Sequence, residues 1–454
     1  MSGNISLLIF SFIFICIIII YLHKKWPDLD VIDLYIVFAL LHFGFVPFIR
    51  GLYFGKDIVF DFRNSNPLAI GLVFGHILVI LLIIKGVSLF LSPNSQDYLK
   101  LRYLIQKYSS ANKYLLLVIN ACLVLFPIIS YYCYGVKPYI MPEDFDKIGH
   151  SLPYWFTSIR TIYNYIAFCV LLGLFGNMVK AKKYPQIIWI TLIICLILSV
   201  TINGRRFLLN IIVIGVIFWF AYNEKSIWRL RYLTIGLLLI GSVLLFSNMY
   251  QSYRDGFLFK AGQVNFTKLE NPISTALNYH ATINNLKMRA GTWEFNFLVF
   301  NFQINKSGMT TNGNLTWDGF KSSIPRFFWP GKQFRLIDDY LAEFFRIETG
   351  DVLIAKNIFG IAQLDFGYLS IIIIPAIILF IIGIMGVIIS KTMEYPTFLM
   401  LFTGNILWYL VNFEESGNEI FFMFRNMIMI LLLFALYILT DKIYTIYRNY
   451  KMGN

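Results

Sequence analysis

About eleven stretches of this chain are long and apolar enough to cross a bilayer, whose hydrocarbon core takes about 20 helical residues to span. They lie near residues 4–22, 31–49, 67–91, 114–134, 154–178, 186–203, 207–222, 232–249, 364–390, 396–413 and 420–439. Lipid offers backbone amides no hydrogen-bonding partner, so each stretch has to close its own bonds as a helix; the alternation of a closed β-barrel is absent. The fold class that follows is an all-α polytopic membrane protein with about eleven transmembrane helices. Charge content agrees. Only 14% of the 454 residues are charged, against roughly a quarter in soluble domains, which excludes a soluble globule of this size.

Lysine and arginine fall unevenly between alternate connections. One set, including Lys24, Lys25, Lys85, Lys180, Lys225, Lys391 and Arg448, holds about 17, whereas the opposite short loops, including Arg50, Lys137, Arg205 and Arg206, hold about seven; the basic set is the cytoplasmic one. The N-terminus is therefore expected outside and the C-terminus inside. The first apolar run has no basic residue ahead of it and no small-residue cleavage site after it, so it reads as a retained span. Three parts result: an N-terminal bundle of about eight helices over residues 1–249, one large outer segment over 250–363, and about three C-terminal helices with a cytoplasmic tail over 364–454. The net charge of +13 resides mostly in cytoplasmic loops, where anionic headgroups account for it without nucleic acid. Cys16, Cys122, Cys133, Cys169 and Cys195 all lie in apolar stretches without paired spacing, and read as small packing residues.

No phosphate-binding glycine loop, H-E-x-x-H or G-x-S-x-G pattern occurs, which removes the generic hydrolase and nucleotide-hydrolysing classes. The informative residues are ionisable groups at the outer boundary, since a charge near hydrocarbon needs a partner or a cavity. Asn203-Gly204-Arg205-Arg206 makes a tight outer turn between two helices. Arg254 stands where a helix leaves the membrane in Tyr250-Gln251-Ser252-Tyr253-Arg254-Asp255-Gly256. The stretch from Ile324 to Lys332 carries a Pro-Gly turn and an aromatic belt expected at headgroup level, with a hold on a lipid-linked phosphate as the other role for Arg326 and Lys332. From Arg335 to Ile347, Leu336, Tyr340, Leu341 and Phe344 share one helical face while Arg335, Asp338, Asp339 and Glu343 lie largely opposite, the pattern of an amphipathic interfacial helix. Asp338 and Asp339 lack D-x-D spacing, so no metal is expected. Glu415 sits in an acidic outer loop, and Arg425 follows inside the next span. His150 and His280 are the histidines on the outer side. Trp293 and Trp317 read as core packing, with stacking on sugar faces as the other role.

The layout and four of these motifs resemble the Wzy-type oligosaccharide repeat-unit polymerases of bacterial inner membranes. The motifs are Gly204-Arg205-Arg206, the block Ile324-Pro325-Arg326-Phe327-Phe328-Trp329-Pro330-Gly331-Lys332, the run from Gly360 to Leu369, and Glu415 followed by Arg425. Many members carry a glutamate ahead of F-G-Y-L where this chain has Gln363, and the R-x10-G pairing of some members' outer loops is absent. The resemblance implies a GT-C-like bundle and a metal-independent glycosyltransferase without cofactor. It would polymerise undecaprenyl-diphosphate-linked repeat units on the periplasmic face during O-antigen or related polysaccharide synthesis. Its partners would be those lipid-linked glycans, membrane lipids and a chain-length regulator.

On that reading Arg205, Arg206 and Arg254 contact the diphosphate, and Arg326, Arg335 and Arg425 assist on donor or acceptor; a planar guanidinium pairs with phosphate oxygens at any working pH. Glu415, Asp338, Asp339 and His280 are the candidate bases for the attacking hydroxyl. A lipid-linked-oligosaccharide flippase and an O-antigen ligase, which uses an outer histidine, are the alternatives. The sidedness has a direct check. In a chain freed of its native cysteines, Ser307→Cys is expected to react with an impermeant maleimide in intact cells, and Ser226→Cys only after permeabilisation; the reverse pattern overturns the orientation.

Overall fold

A computed structural model describes residues 2–26, 28–52, 67–90, 99–111, 113–134, 165–173, 176–177, 291–305, 310–324, 328–335, 339–341, 343, 357–392, 394–411 and 418–452. Helix α1 covers Ser2–Lys25, α2 Val31–Leu40 and α3 Val46–Leu52, the last two joined through a π-helical turn at Leu41–Phe45. Helices α4 (Pro67–Ser88), α5 (Leu101–Tyr108) and α6 (Lys113–Tyr134) follow, then a helical stretch at residues 165–173. Beyond it come α7 (Gly291–Asn305), α8 (Asn314–Ser323), α9 (Ile358–Phe366), α10 (Ser370–Thr392), α11 (Pro396–Val411) and α12 (Asn418–Met452). Among the described residues there is no strand; one isolated bridge pairs Asp30 with Lys100.

Four of these segments are long and apolar enough to cross a membrane, Ile5–Lys25, Pro67–Ser88, Ile358–Thr392 and Ile420–Leu439. Val31–Phe45 and Pro396–Leu410 are shorter apolar helices. The chain is thus a membrane-embedded all-α protein. The runs expected near 186–203, 207–222 and 232–249 lie outside the described residues.

Local chemistry sets the helix ends. Asp30 Oδ1 accepts from the Asp33 amide at 2.6 Å and Asp33 Oδ2 from the Asp30 amide at 3.2 Å, a reciprocal cap that starts α2. Asp33 is fully buried, and Lys85 at the end of α4 meets it at 2.5 Å while Tyr21 of α1 also donates to it. Three helices are thereby fastened at one junction, where an unpaired buried charge would be costly.

The segment between 250 and 363 does not stand wholly outside the bundle. Phe297 and Phe300 of α7 and Phe359 and Ala362 of α9 belong to the same apolar core as α1, α4, α10 and α11. The boundary at 363 falls inside α9, and the apolar segment opens at Ile358 instead of 364. Helix α7, at 15 residues, is too short to stand out in a span-length window. Gly360 allows the close crossing of α7 and α9: a Cβ there would sit 2.6 Å from the Phe295 ring and against Asn296 Oδ1. Gly367, at φ +57°, breaks α9 from α10 in a conformation that favours glycine.

A chain of polar side chains threads this apolar packing. His76 Nε2 lies 2.8 Å from Ser370 Oγ, which donates to Gln363 Oε1 at 2.8 Å. Gln363 Nε2 donates to Gln303 Oε1 at 2.7 Å, and Gln303 Nε2 returns a bond to the Gln363 carbonyl at 2.9 Å. The serine hydroxyl has a single proton, so its bond to Gln363 makes His76 Nε2 the donor to Ser370. Helices α4, α7, α9 and α10 are joined by these bonds, and an amide at 363 is required because a carboxylate could not donate to Gln303. Gln363→Glu is therefore expected to cost about 1–2 kcal/mol of stability at neutral pH. A carboxyl group regains a donor when protonated, so the loss should shrink as pH falls. Thermal unfolding in detergent across pH checks it; equal destabilisation at every pH contradicts it.

Candidate functional site

At one end of the bundle α8 and residues 328–335, 339–341 and 343 form a platform set on α9 and α12. Helix α8 lies against the start of α12, where the Phe320 and Phe421 rings meet edge-on with centroids 5.7 Å apart. That end is opposite the Thr392–Tyr395 turn, because Tyr395 packs instead on Phe434 and Tyr437, far along α12.

The N-cap residue of α8 is Gly313, which has no side chain to satisfy the first amides. Asp365 of α9 does so instead. Its carboxylate, fully buried, accepts from Thr316 N at 2.8 Å, Leu315 N at 3.2 Å and Thr311 Oγ1 at 2.5 Å. At the other end Lys332 Nζ donates to the carbonyls of Lys321 at 2.8 Å, Ser322 at 3.0 Å and Ile324. A cation there answers the unpaired carbonyls and the negative end of the helix dipole. The sequence-based expectation that Lys332 holds a phosphate is corrected by this geometry: all three of its protons are occupied by backbone, and the residue is buried.

Asp318 organises the inner side of the platform. It pairs with Lys321, accepts from the Tyr340 hydroxyl at 2.7 Å and from the Arg335 amide at 3.1 Å. Burial raises its carboxyl, but the bonds from Lys321, Tyr340 and the Arg335 amide outweigh that and hold it below the usual carboxylate range. Burial and the bond to Asp318 push the Tyr340 phenol up to about 12. Arg335 lies over the Tyr340 ring, 4.7 Å from its centroid, and donates to Glu343 and to the Asp339 carbonyl at 3.3 Å. Residues 332–335 have no regular secondary structure, and the helix expected over 335–347 has begun by Asp339, with Leu341 buried and Glu343 exposed.

Of the site residues read from sequence, Arg335, Asp339 and Arg425 are described. Arg335 and Asp339 are brought together on the platform. Arg425 lies one turn beyond Phe421, about 6 Å further along α12, with its guanidinium 4.6 Å from the Phe422 ring centroid. Arg205, Arg206, Arg254, Arg326, His280, Asp338 and Glu415 lie outside the described residues, as does His150. Trp317 is 54% exposed, so core packing is not its role. Asp318 and Asp365 carry the construction yet have no signature in sequence, since, Lys321 apart, their partners stand 17 to 54 positions away.

Compared with protein-family models, curated proteins and solved structures, the chain matches none.

The platform has a predictable acid response. Because the folded state lowers the Asp318 pKa, its stabilisation is present above the unfolded value of about 4 and is lost as pH falls through the lower folded value. Amide exchange over residues 314–335 is expected to stay slow from neutral pH down to about 5 and to accelerate, after correction for intrinsic rate, only below about 4. Asp318→Asn should remove that transition, and a transition unchanged in that variant excludes Asp318 as its source.

Proposed function

We propose that this chain is a membrane glycosyltransferase that joins undecaprenyl-diphosphate-linked oligosaccharide repeat units on the periplasmic face of the bacterial inner membrane, within a GT-C-like bundle of about eleven helices. The observations that best support the reading are two arginines, Arg335 at the exposed surface of the platform and Arg425 inside an apolar helix. Arg425 lies inside an apolar segment and has no carboxylate partner among the described residues, a situation that calls for an anionic ligand or an aqueous pocket. Arg335 is held by Glu343, whose side chain is 68% exposed. Such a surface pair contributes about 0–1 kcal/mol, so a diphosphate can replace the glutamate at small cost.

In the reaction an acceptor sugar hydroxyl attacks the anomeric carbon of the donor. The bond from that carbon to the diphosphate oxygen breaks, undecaprenyl diphosphate leaves, and a carboxylate or imidazole takes the hydroxyl proton. Negative charge grows on the departing diphosphate. Guanidinium groups fixed beside it stabilise that charge in a water-poor site. Arg205, Arg206 and Arg254 are assigned to the diphosphate, Arg326, Arg335 and Arg425 to the rest of donor and acceptor. Glu415, Asp338, Asp339 and His280 are the bases to be tested.

Loss of the gene is expected to leave single repeat units displayed outside the cell. Units trapped on the cytoplasmic leaflet would identify a flippase, and polymer that is made but never transferred to its final carrier would identify a ligase. Arg206→Lys and Arg254→Ala are expected to abolish chain elongation with protein abundance unchanged. Full-length polysaccharide from both variants would remove those arginines from the mechanism.

A further inference from the structure

Helix α8 is inside-out by the standard of a water-soluble surface helix. Its inward side buries Leu315, Asp318, Gly319 and Ser323, two of them polar, while Asn314, Trp317 and Phe320 recur every three residues on the exposed side. Trp317 stacks on Phe320 with centroids 5.4 Å apart. Just beyond the helix, Phe328 is 74% exposed and Trp329 is also open, on a tip that Lys332 ties to the C-terminal carbonyls of α8. Clustered exposed aromatic rings need a covering partner.

The surroundings identify that partner. Phe320 meets Phe421, one residue inside the apolar segment that opens at Ile420. From Phe421 the same face of α12 passes Arg425 and continues through Ile428 and Leu432, the last two more than half exposed, at spacings of four, seven and eleven residues that return to one side of a helix. The aromatic surface of α8 is therefore continuous with the lipid-facing side of a membrane helix, at the depth where tryptophan and other amphipathic rings collect in bilayers. Asn314 shares that exposed side with the rings, while the Asp318 carboxylate faces inward.

We infer that Trp317, Phe320, Phe328 and Trp329 form a foot that seats the platform in the headgroup–acyl boundary of the bilayer. The foot fixes the height of Arg335 above the hydrocarbon whichever reaction the chain performs, so the inference does not depend on the glycosyltransferase reading.

The full-length protein, reconstituted in phosphatidylcholine–phosphatidylglycerol vesicles, provides the test. It has nine tryptophans, so the signal is the difference in emission between wild type and Trp317→Phe, and separately Trp329→Phe; both variants keep an apolar ring and the fold. Each difference spectrum is expected to be blue-shifted. Most of it should disappear when the phosphatidylcholine is brominated near the headgroup end of its acyl chains, with aqueous iodide removing little. Difference signals that iodide quenches and bromolipid leaves intact overturn the foot, and shielding of those signals by added oligosaccharide would assign the rings to sugar stacking.

Discussion

The structure depends on one constraint, that a polar group surrounded by hydrocarbon must find its partner within the protein. The bonds from His76 through Ser370 and Gln363 to Gln303 meet it across four helices. In lipid, apolar side chains have little reason to prefer one another over acyl chains, so packing and such polar contacts decide which helices stay together. Gln363 is the centre of the arrangement because both ends of its amide are bonded. This accounts physically for an amide at this position: it serves to join helices.

The platform is made by exchange between distant segments. Asp365 supplies the cap that Gly313 lacks, and Lys332 closes the opposite end of α8. Neither residue is free to bind substrate. What remains exposed on the platform is the Arg335–Glu343 pair, open to solvent and held weakly, together with the exposed aromatic rings. Fixed construction on one side and a weakly held charge pair on the other divide the platform into a structural and an exchangeable part.

The apolar helices were legible in sequence because a span of about 20 hydrophobic residues has few other uses. Helices α1, α4, α6 and α11 follow the expected runs to within about three residues at each end. Residues 291–305 and 358–363 were read as part of an outer domain, since one helix is short and the other adjoins a polar stretch; only their three-dimensional packing draws them into the bundle. At the platform, the block from Ile324 to Lys332 gave Lys332 the wrong partner. Sequence shows a cation beside aromatic rings and cannot show three carbonyls from a helix end converging on it. Asp365 was visible only as one letter in a longer motif, because its bonds reach back some fifty positions.

Gln363 and Asp365 stand two residues apart on α9, one bonded into the membrane bundle and the other into the start of α8. The rim structure is thus mortised to the transmembrane scaffold through less than one turn of helix. A chimera built to exchange substrate preference between proteins of this design cannot break the chain in the apparent loop before residue 364. The transplanted unit has to run from Gln303 through Ser370, or the grafted surface arrives without its footing.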